Sequence, residues 1–192
     1  MCIAGNSGRA MEEIIIKKAG EMFLKYGLRS VSIDDICNDL HISKRTFYRY
    51  FKQKEELVEK MLVRVVEKHR KVKMEYGEGE TVVDYINSNF KKFTERSAIA
   101  EKHMVFFYDL EKYYPVTAGN FARQMKETDR QQVKAVLERG IEEGVFEKEM
   151  DVEAMTTLLT EGFATAFRKI EGTYAQKMEF VLKSALKLII KQ

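Results

Sequence analysis

Long apolar runs, proline and usefully spaced cysteines are what this 192-residue chain has little of. No stretch approaches the ~18 consecutive apolar residues of a membrane span, and the first ten residues lack the apolar core of a secretory leader. A cytoplasmic protein without membrane contact is therefore expected. The single proline, the missing runs of alternating β-branched residues and a 45% hydrophobic content rich in Leu, Met and Ala among Lys and Glu predict an all-α chain. Cys2 sits in a Gly- and Ser-containing tail and Cys37 in an apolar helical pattern, which makes neither a metal-ligand set nor a disulfide framework. Cys37 reads as a small buried hydrophobe. His41, His69 and His103 are isolated, and HExxH, ExxH, Walker and Ser/Cys nucleophile signatures are missing. No catalytic residue, metal or cofactor is expected.

What is present is concentrated in one place. The segment His41–Lys54 holds Lys44, Arg45, Arg49, Lys52 and Lys54 and no acidic residue, while the whole chain is only +3, so the remainder is net −2. A local basic patch implies a local polyanion contact. Read as a helix beginning after Ser43, the segment puts Phe47 and Phe51 on one face at i and i+4. Lys44 with Tyr48 and Arg45 with Arg49 line the opposite side, and Thr46 and Tyr50 fall on the shoulders. A short helix held by two phenylalanines and presenting cations, a hydroxyl and phenols suits a DNA major groove.

The surrounding pattern is helix, turn, helix. Ile15, Ala19, Met22, Phe23 and Tyr26 predict a first helix over about 11–26, stopped by Gly27. Ser32 is placed to cap a second helix whose Ile33, Ile36, Cys37 and Leu40 share a face, and His41 and Ile42 turn the chain into Ser43, the next cap. Gln53 is a poor cap for a fourth helix from about Lys54, in which Leu57, Val58, Met61, Leu62, Val65 and Val66 recur at helical spacing up to the Gly/Glu break at 76–80. Later helices are expected near 81–95, 98–110, 115–143, 152–171 and 173–191, with Pro115 in a first turn, Gly144 at a C-terminus and Asp151 as an N-cap. The expected division is a flexible tail at 1–10, a helix-turn-helix domain at 11–54 and a larger helical domain at 55–192, joined through the fourth helix. About nine helices are expected in all.

Over Ile14–Leu57 the chain resembles the tetracycline-repressor (TetR) family of bacterial transcription regulators. The resemblance is carried by Phe23-Leu24-Lys25-Tyr26-Gly27, Ser32-Ile33-Asp34-Asp35-Ile36, Ile42-Ser43-Lys44-Arg45-Thr46-Phe47-Tyr48-Arg49-Tyr50-Phe51 and Lys54-Glu55-Glu56-Leu57. It implies that Thr46, Tyr48, Tyr50 and Lys54 meet DNA phosphates and that Lys44, Arg45 and Arg49 lie near base edges. The chain departs from the family pattern at Arg45 and at His41, where glycine is usual. His41 must then take a turn conformation costly for most residues. Glu143-Gly144-Val145-Phe146 leading to Asp151-Val152-Glu153-Ala154 resembles the joint before the family's penultimate helix.

Nine of the 21 aromatics fall between residues 85 and 121. They make either a packed core or, with nearby methionines, an adaptable apolar cavity. The expected lining of a small-molecule effector site is Tyr85, Phe93, Met104, Phe107, Tyr108, Tyr114, Phe121, Met125 and Phe163, with Glu111 or Glu161 available should the effector be cationic. The last two helices carry more apolar surface than one core requires. By the resemblance they pair with a second copy as a homodimer through Leu158, Gly162, Phe163, Ala166, Val181, Ala185 and Leu188. The expectation is a dimeric repressor of a palindromic double-stranded operator, released by a small hydrophobic or aromatic ligand. The competing readings are a helical small-molecule binder or enzyme whose basic helix holds an anionic substrate, and an activator or ligand-independent regulator.

Overall fold

Side-chain caps start several of the helices. Ser32 accepts the Asp35 N–H while Asp35 accepts the Ser32 N–H, a reciprocal box that opens the second helix. Ser43 accepts from Thr46 N–H, Asp151 from Glu153 and Ala154 N–H, and Thr173 forms a box with Gln176. The computed structural model describes residues 4–71, 78–95, 97–162, 165 and 169–190. Among them are nine α-helices and no β-strand: α1 Ala4–Tyr26, α2 Ile33–Asp39, α3 Lys44–Tyr48, α4 Lys54–Lys71, α5 Val82–Glu95, α6 Ser97–Tyr113, α7 Pro115–Glu142, α8 Val152–Thr157 and α9 Tyr174–Ile189.

Three departures from the sequence reading have local causes. The first helix begins at Ala4, inside the expected tail. Adding residues to a turn already held by buried Ile15 and Ile16 is far easier than nucleating one. The penultimate helix is not a continuous α-helix, because α8 widens into π geometry over Leu158–Gly162. There Thr157 Oγ1 donates to Glu153 O and Thr160 Oγ1 to Thr156 O, hydroxyls competing for the carbonyls on which a regular ladder depends. Thirdly, α3 is α-helical for only five residues, and its last turn tightens through Arg49 N–H to Thr46 O and Tyr50 N–H to Phe47 O. The break foreseen at 76–80 lies partly outside the described residues, and Gly79 within it has positive φ.

The chain divides into two compact units: residues up to His69 with Lys102–Arg123, and Arg70–Glu101 with Gln124–Gln192. The first is wider than the expected domain at 11–54. Its core joins Ile15, Ala19, Phe23, Leu28, Ile36, Cys37, Phe47 and Phe51 to Leu57, Val58, Met61 and Leu62 of α4 and to Phe106 and Leu110 of α6. Cys37 is buried there as expected, and loss of water around it raises its thiol pKa, with Asp34 adding to the effect. Ion pairs of Lys18 with Asp39 (2.9 Å), Lys60 with Glu12 (3.0 Å) and Arg64 with Glu13 surround this core. Tyr26 and Val65, both expected on apolar faces, are exposed instead.

The second unit is built on Val82, Leu137, Phe146 and Ile189. A Cβ at Gly140 would fall 2.0 Å from the Phe146 ring, so only glycine lets that ring lie on α7. Gly144, as expected, ends α7: its N–H bonds Ile141 O and that of Val145 bonds Gly140 O. Glu143 then accepts the Val82 N–H at 2.7 Å and the Arg139 Nε–H at 2.5 Å, satisfying a free donor at the start of α5.

Candidate nucleic-acid interface

The turn between α2 and α3 decides how the basic segment is presented. Leu40 caps α2, His41 follows at φ 53°, and Ile42 N–H reaches back to Cys37 O at 2.9 Å while His41 N–H bonds Asn38 O. This is a Schellman closure with histidine where glycine is the usual occupant. Among the described residues His41 is the one non-glycine at positive φ, the costly conformation the sequence reading required of it.

From that turn α3 leaves with Phe47 and Phe51 buried, their ring centroids 5.4 Å apart. Full burial of each phenylalanine contributes roughly 1.5–3 kcal/mol to holding the helix on the head. Tyr48 stands edge-on to Phe47 and is 52% exposed, whereas Tyr50 is half-buried against the core. Thr46 Oγ1 lies 3.0 Å from Ser43 Oγ, within the cap.

The cations fall into three states. Arg45 and Arg49 are exposed and carry no ion pair among the described residues, so both guanidinium forks are available to a ligand. Lys44 is exposed but bonded to Asp34 at 2.8 Å, and that hydrogen bond and charge raise its pKa. Nothing in the sequence signalled this partner, because the pairing depends on the angle between α2 and α3. Lys54 faces inward. Its Nζ donates to Leu28 O and Val31 O, each at 2.5 Å, and lies 5.3 Å from the Phe23 ring centroid. Desolvation lowers its pKa, with Asp109 and Asp35 opposing. The Lys54 side chain, expected on a phosphate, directs two of its donors to the buried Leu28 and Val31 carbonyls of the α1–α2 loop. In the first turn of α4 the Glu56 carboxylate reaches back to accept the Lys52 N–H at 2.7 Å, holding the chain where it enters the helix.

Residues 15–61, which contain this whole arrangement, match the family model described as bacterial regulatory proteins, tetR family. Over those residues the chain is similar to the TetR family. Its helix-turn-helix head is that of a DNA-binding transcriptional regulator. Two curated relatives are each named HTH-type transcriptional repressor KstR2. One, from Rhodococcus jostii, is 24% identical over 97% of this chain and 92% of its own length. The other, from Mycolicibacterium smegmatis, is 22% identical over 72% of this chain and 69% of its own. Two solved structures share the fold. A TetR transcription regulator from Haloarcula marismortui has a TM-score of 0.69 at 18% identity, covering 95% of this chain and 100% of that one. A putative transcriptional regulator from Saccharomonospora viridis in complex with choline has a TM-score of 0.68 at 14% identity, covering 96% and 100%. These relatives and the family are regulators rather than enzymes.

The expected effector-site residues are only partly brought together. Phe107 and Phe121 stack with centroids 6.0 Å apart, and Tyr114 packs on the same core with its pKa raised by burial and by Glu55. Tyr108 is exposed beneath Lys112. Tyr85 and Met125 are half-buried in the second unit. Phe163 and the side chains of Phe93 and Met104 lie outside the described residues. Of the two glutamates considered for a cation, Glu161 pairs with Lys126 at 2.9 Å and Glu111 is exposed.

On the expected dimer face Leu158, Gly162 and Leu188 are exposed and Val181 is half-buried. Ala185 departs from the expectation, since at 9% exposed it is packed within its own chain. Phe163 and Ala166 lie outside the described residues. None of the helices is long and apolar enough to cross a membrane, among the described residues.

Proposed function

We propose that this chain is a dimeric cytoplasmic repressor whose two heads grip a palindromic operator and that a small hydrophobic or aromatic molecule releases it. The observation that carries the DNA half is the state of α3: two buried phenylalanines hold it, while Arg45 and Arg49 stand exposed beside Tyr48 with no ion pair among the described residues. Arginine forks suit bidentate contact with guanine, and the tyrosine and threonine hydroxyls suit phosphate oxygens. One such head offers few base contacts, so a second copy supplies the specificity a useful operator demands. Exposed Leu158, Phe180 and Leu188 support α8 and α9 as the surface for that copy.

Release requires only that the effector bind two conformers of the dimer unequally, by about 1–3 kcal/mol. The aromatics and methionines between residues 85 and 125 provide apolar, adaptable chemistry for such a molecule. The test is selection of the purified protein's preferred site from random duplex DNA, followed by titration with salt and by release assays across a small-molecule library. A palindromic consensus and a steep loss of affinity with salt are expected. Enrichment of no sequence, or an affinity indifferent to salt, overturns the reading.

A further inference from the structure

The loop between α1 and α2 is gripped from two sides. From one side Lys54, the first residue of α4, donates to Leu28 O and Val31 O. From the other, Asp109 of α6 accepts the Arg29 N–H at 3.0 Å, and the Arg29 guanidinium lies 5.8 Å from the Tyr113 ring centroid of the same helix. The approach of α6 is close: at Gly27, where φ is +88°, a Cβ would lie 3.3 Å from Asp109 Oδ2 and 3.7 Å from Val105 Cγ1. Beneath these contacts Phe106 and Leu110 are buried in the same core as Phe23, Leu28 and Phe47. At the next corner Thr117 Oγ1 sits 3.3 Å from Glu55 Oε1 and 3.2 Å from Glu59 Oε1, joining the start of α7 to α4.

The held loop leads directly into Ser32, the cap of α2, and α2 carries α3 through the His41 closure. A shift of α6 beyond the few tenths of an ångström that a hydrogen bond can stretch must therefore either break the bond to Arg29 or carry the loop, α2 and α3 with it. We propose that Asp109 is a positioning residue that couples α6 to the DNA-reading helices through the α1–α2 loop, independently of the covalent continuity of α4. The coupling is polar and directional: one carboxylate oxygen on one backbone N–H. It acts at Arg29 and Ser30, the exposed tip of a loop whose flanking Leu28 and Val31 are buried in the core. α6 thereby has its own hold on the head, a route by which an event on that helix alters DNA binding.

The inference rests on the operator reading above, so the test separates the two. In the full-length free protein, amide hydrogen exchange is measured at Arg29; with the selected operator, the dissociation constant is measured at fixed salt. Asp109→Ala should abolish protection of the Arg29 amide and weaken the operator about tenfold, the scale of one charge-assisted hydrogen bond. Asp109→Asn keeps an acceptor oxygen and should restore both, which a merely destabilised core would not do. Unchanged Arg29 exchange in Asp109→Ala, or an Asp109→Asn variant as impaired as Asp109→Ala, overturns the coupling. Arg49→Ala, measured alongside, tests the operator reading alone: if it binds like the parent, the DNA assignment fails whatever Arg29 shows.

Discussion

Lys54 Nζ lies 2.5 Å from the carbonyl oxygen of Val31, so the last cation of the basic segment points into the head and away from any ligand of α3. Its second bond, to Leu28 O, occupies a further donor. Replacement by alanine leaves two carbonyls without their donor and should destabilise the head by about 1–3 kcal/mol, seen as a lower urea midpoint. An alanine variant as stable as the parent, but uniformly weaker on all DNA, would return this lysine to the phosphate backbone.

His41 occupies a left-handed position that disfavours side chains by roughly 1–2 kcal/mol, part of which glycine gives back through its freer unfolded chain. His41→Gly should therefore raise stability by about 0.5–1 kcal/mol in thermal unfolding without changing operator preference. A drop in melting temperature would show that the imidazole makes a contact outweighing the backbone relief.

Arg45 and Arg49 are the cations of α3 left without an intramolecular partner among the described residues, whereas Lys44 is held by Asp34. Alanine at either arginine should cost about 1–3 kcal/mol at one or two base positions and broaden the selected consensus there. Lys44→Ala should change the consensus least, because its charge is already compensated. Site selection with each variant decides, and a consensus altered only by Lys44→Ala reverses the assignment.

Leu188 and Ala185 lie one turn apart on α9 yet should respond oppositely to aspartate. Leu188 is 58% exposed, so Leu188→Asp should leave the fold intact and shift sedimentation from dimer to monomer. Ala185 is packed inside its own chain, and Ala185→Asp should unfold the second unit by burying an unpaired charge. A folded dimeric Leu188→Asp protein would remove this face from the proposed interface.

Glu143 links stability to pH. Its pKa is held below the ordinary 4.5 by the Val82 N–H first and then by the Arg139 hydrogen bond; desolvation opposes them, and the Arg139 charge lowers it further against Asp84. Because the unfolded chain binds this proton more readily, the stabilisation is complete above pH 4.5 and is lost as pH falls through the depressed folded value. Glu143→Gln should flatten the acid limb of the stability curve, most visibly at low salt since the group is exposed to solvent. Parallel limbs in the two proteins would assign acid sensitivity to other carboxylates.

What was legible in the sequence was local. Ser32, Ser43 and Asp151 cap as their side chains dictate, because a cap is a bond between residues two or three apart. The burial of Phe47 and Phe51 followed from their spacing, and the strain at His41 from a residue that must serve where glycine normally does. The π segment after α8 was not legible. Thr157 and Thr160 bear on it only through which carbonyls their hydroxyls reach, and periodicity counts them as ordinary helical positions.

By itself the sequence determined an all-helical chain, a helix-turn-helix with its caps, and the one basic segment fit to meet DNA, because each of these depends on neighbours within about a turn along the chain. Only the tertiary structure decided which of the cations find a partner within the chain. Lys54 turns inward to carbonyls 23 and 26 residues away, Lys44 is claimed by Asp34 across a helix junction, and Asp109 reaches back 80 residues to the Arg29 amide. Charge is a property of a residue, but the partner that charge finds is set by helix angles and by which buried polar groups would otherwise go without a hydrogen bond.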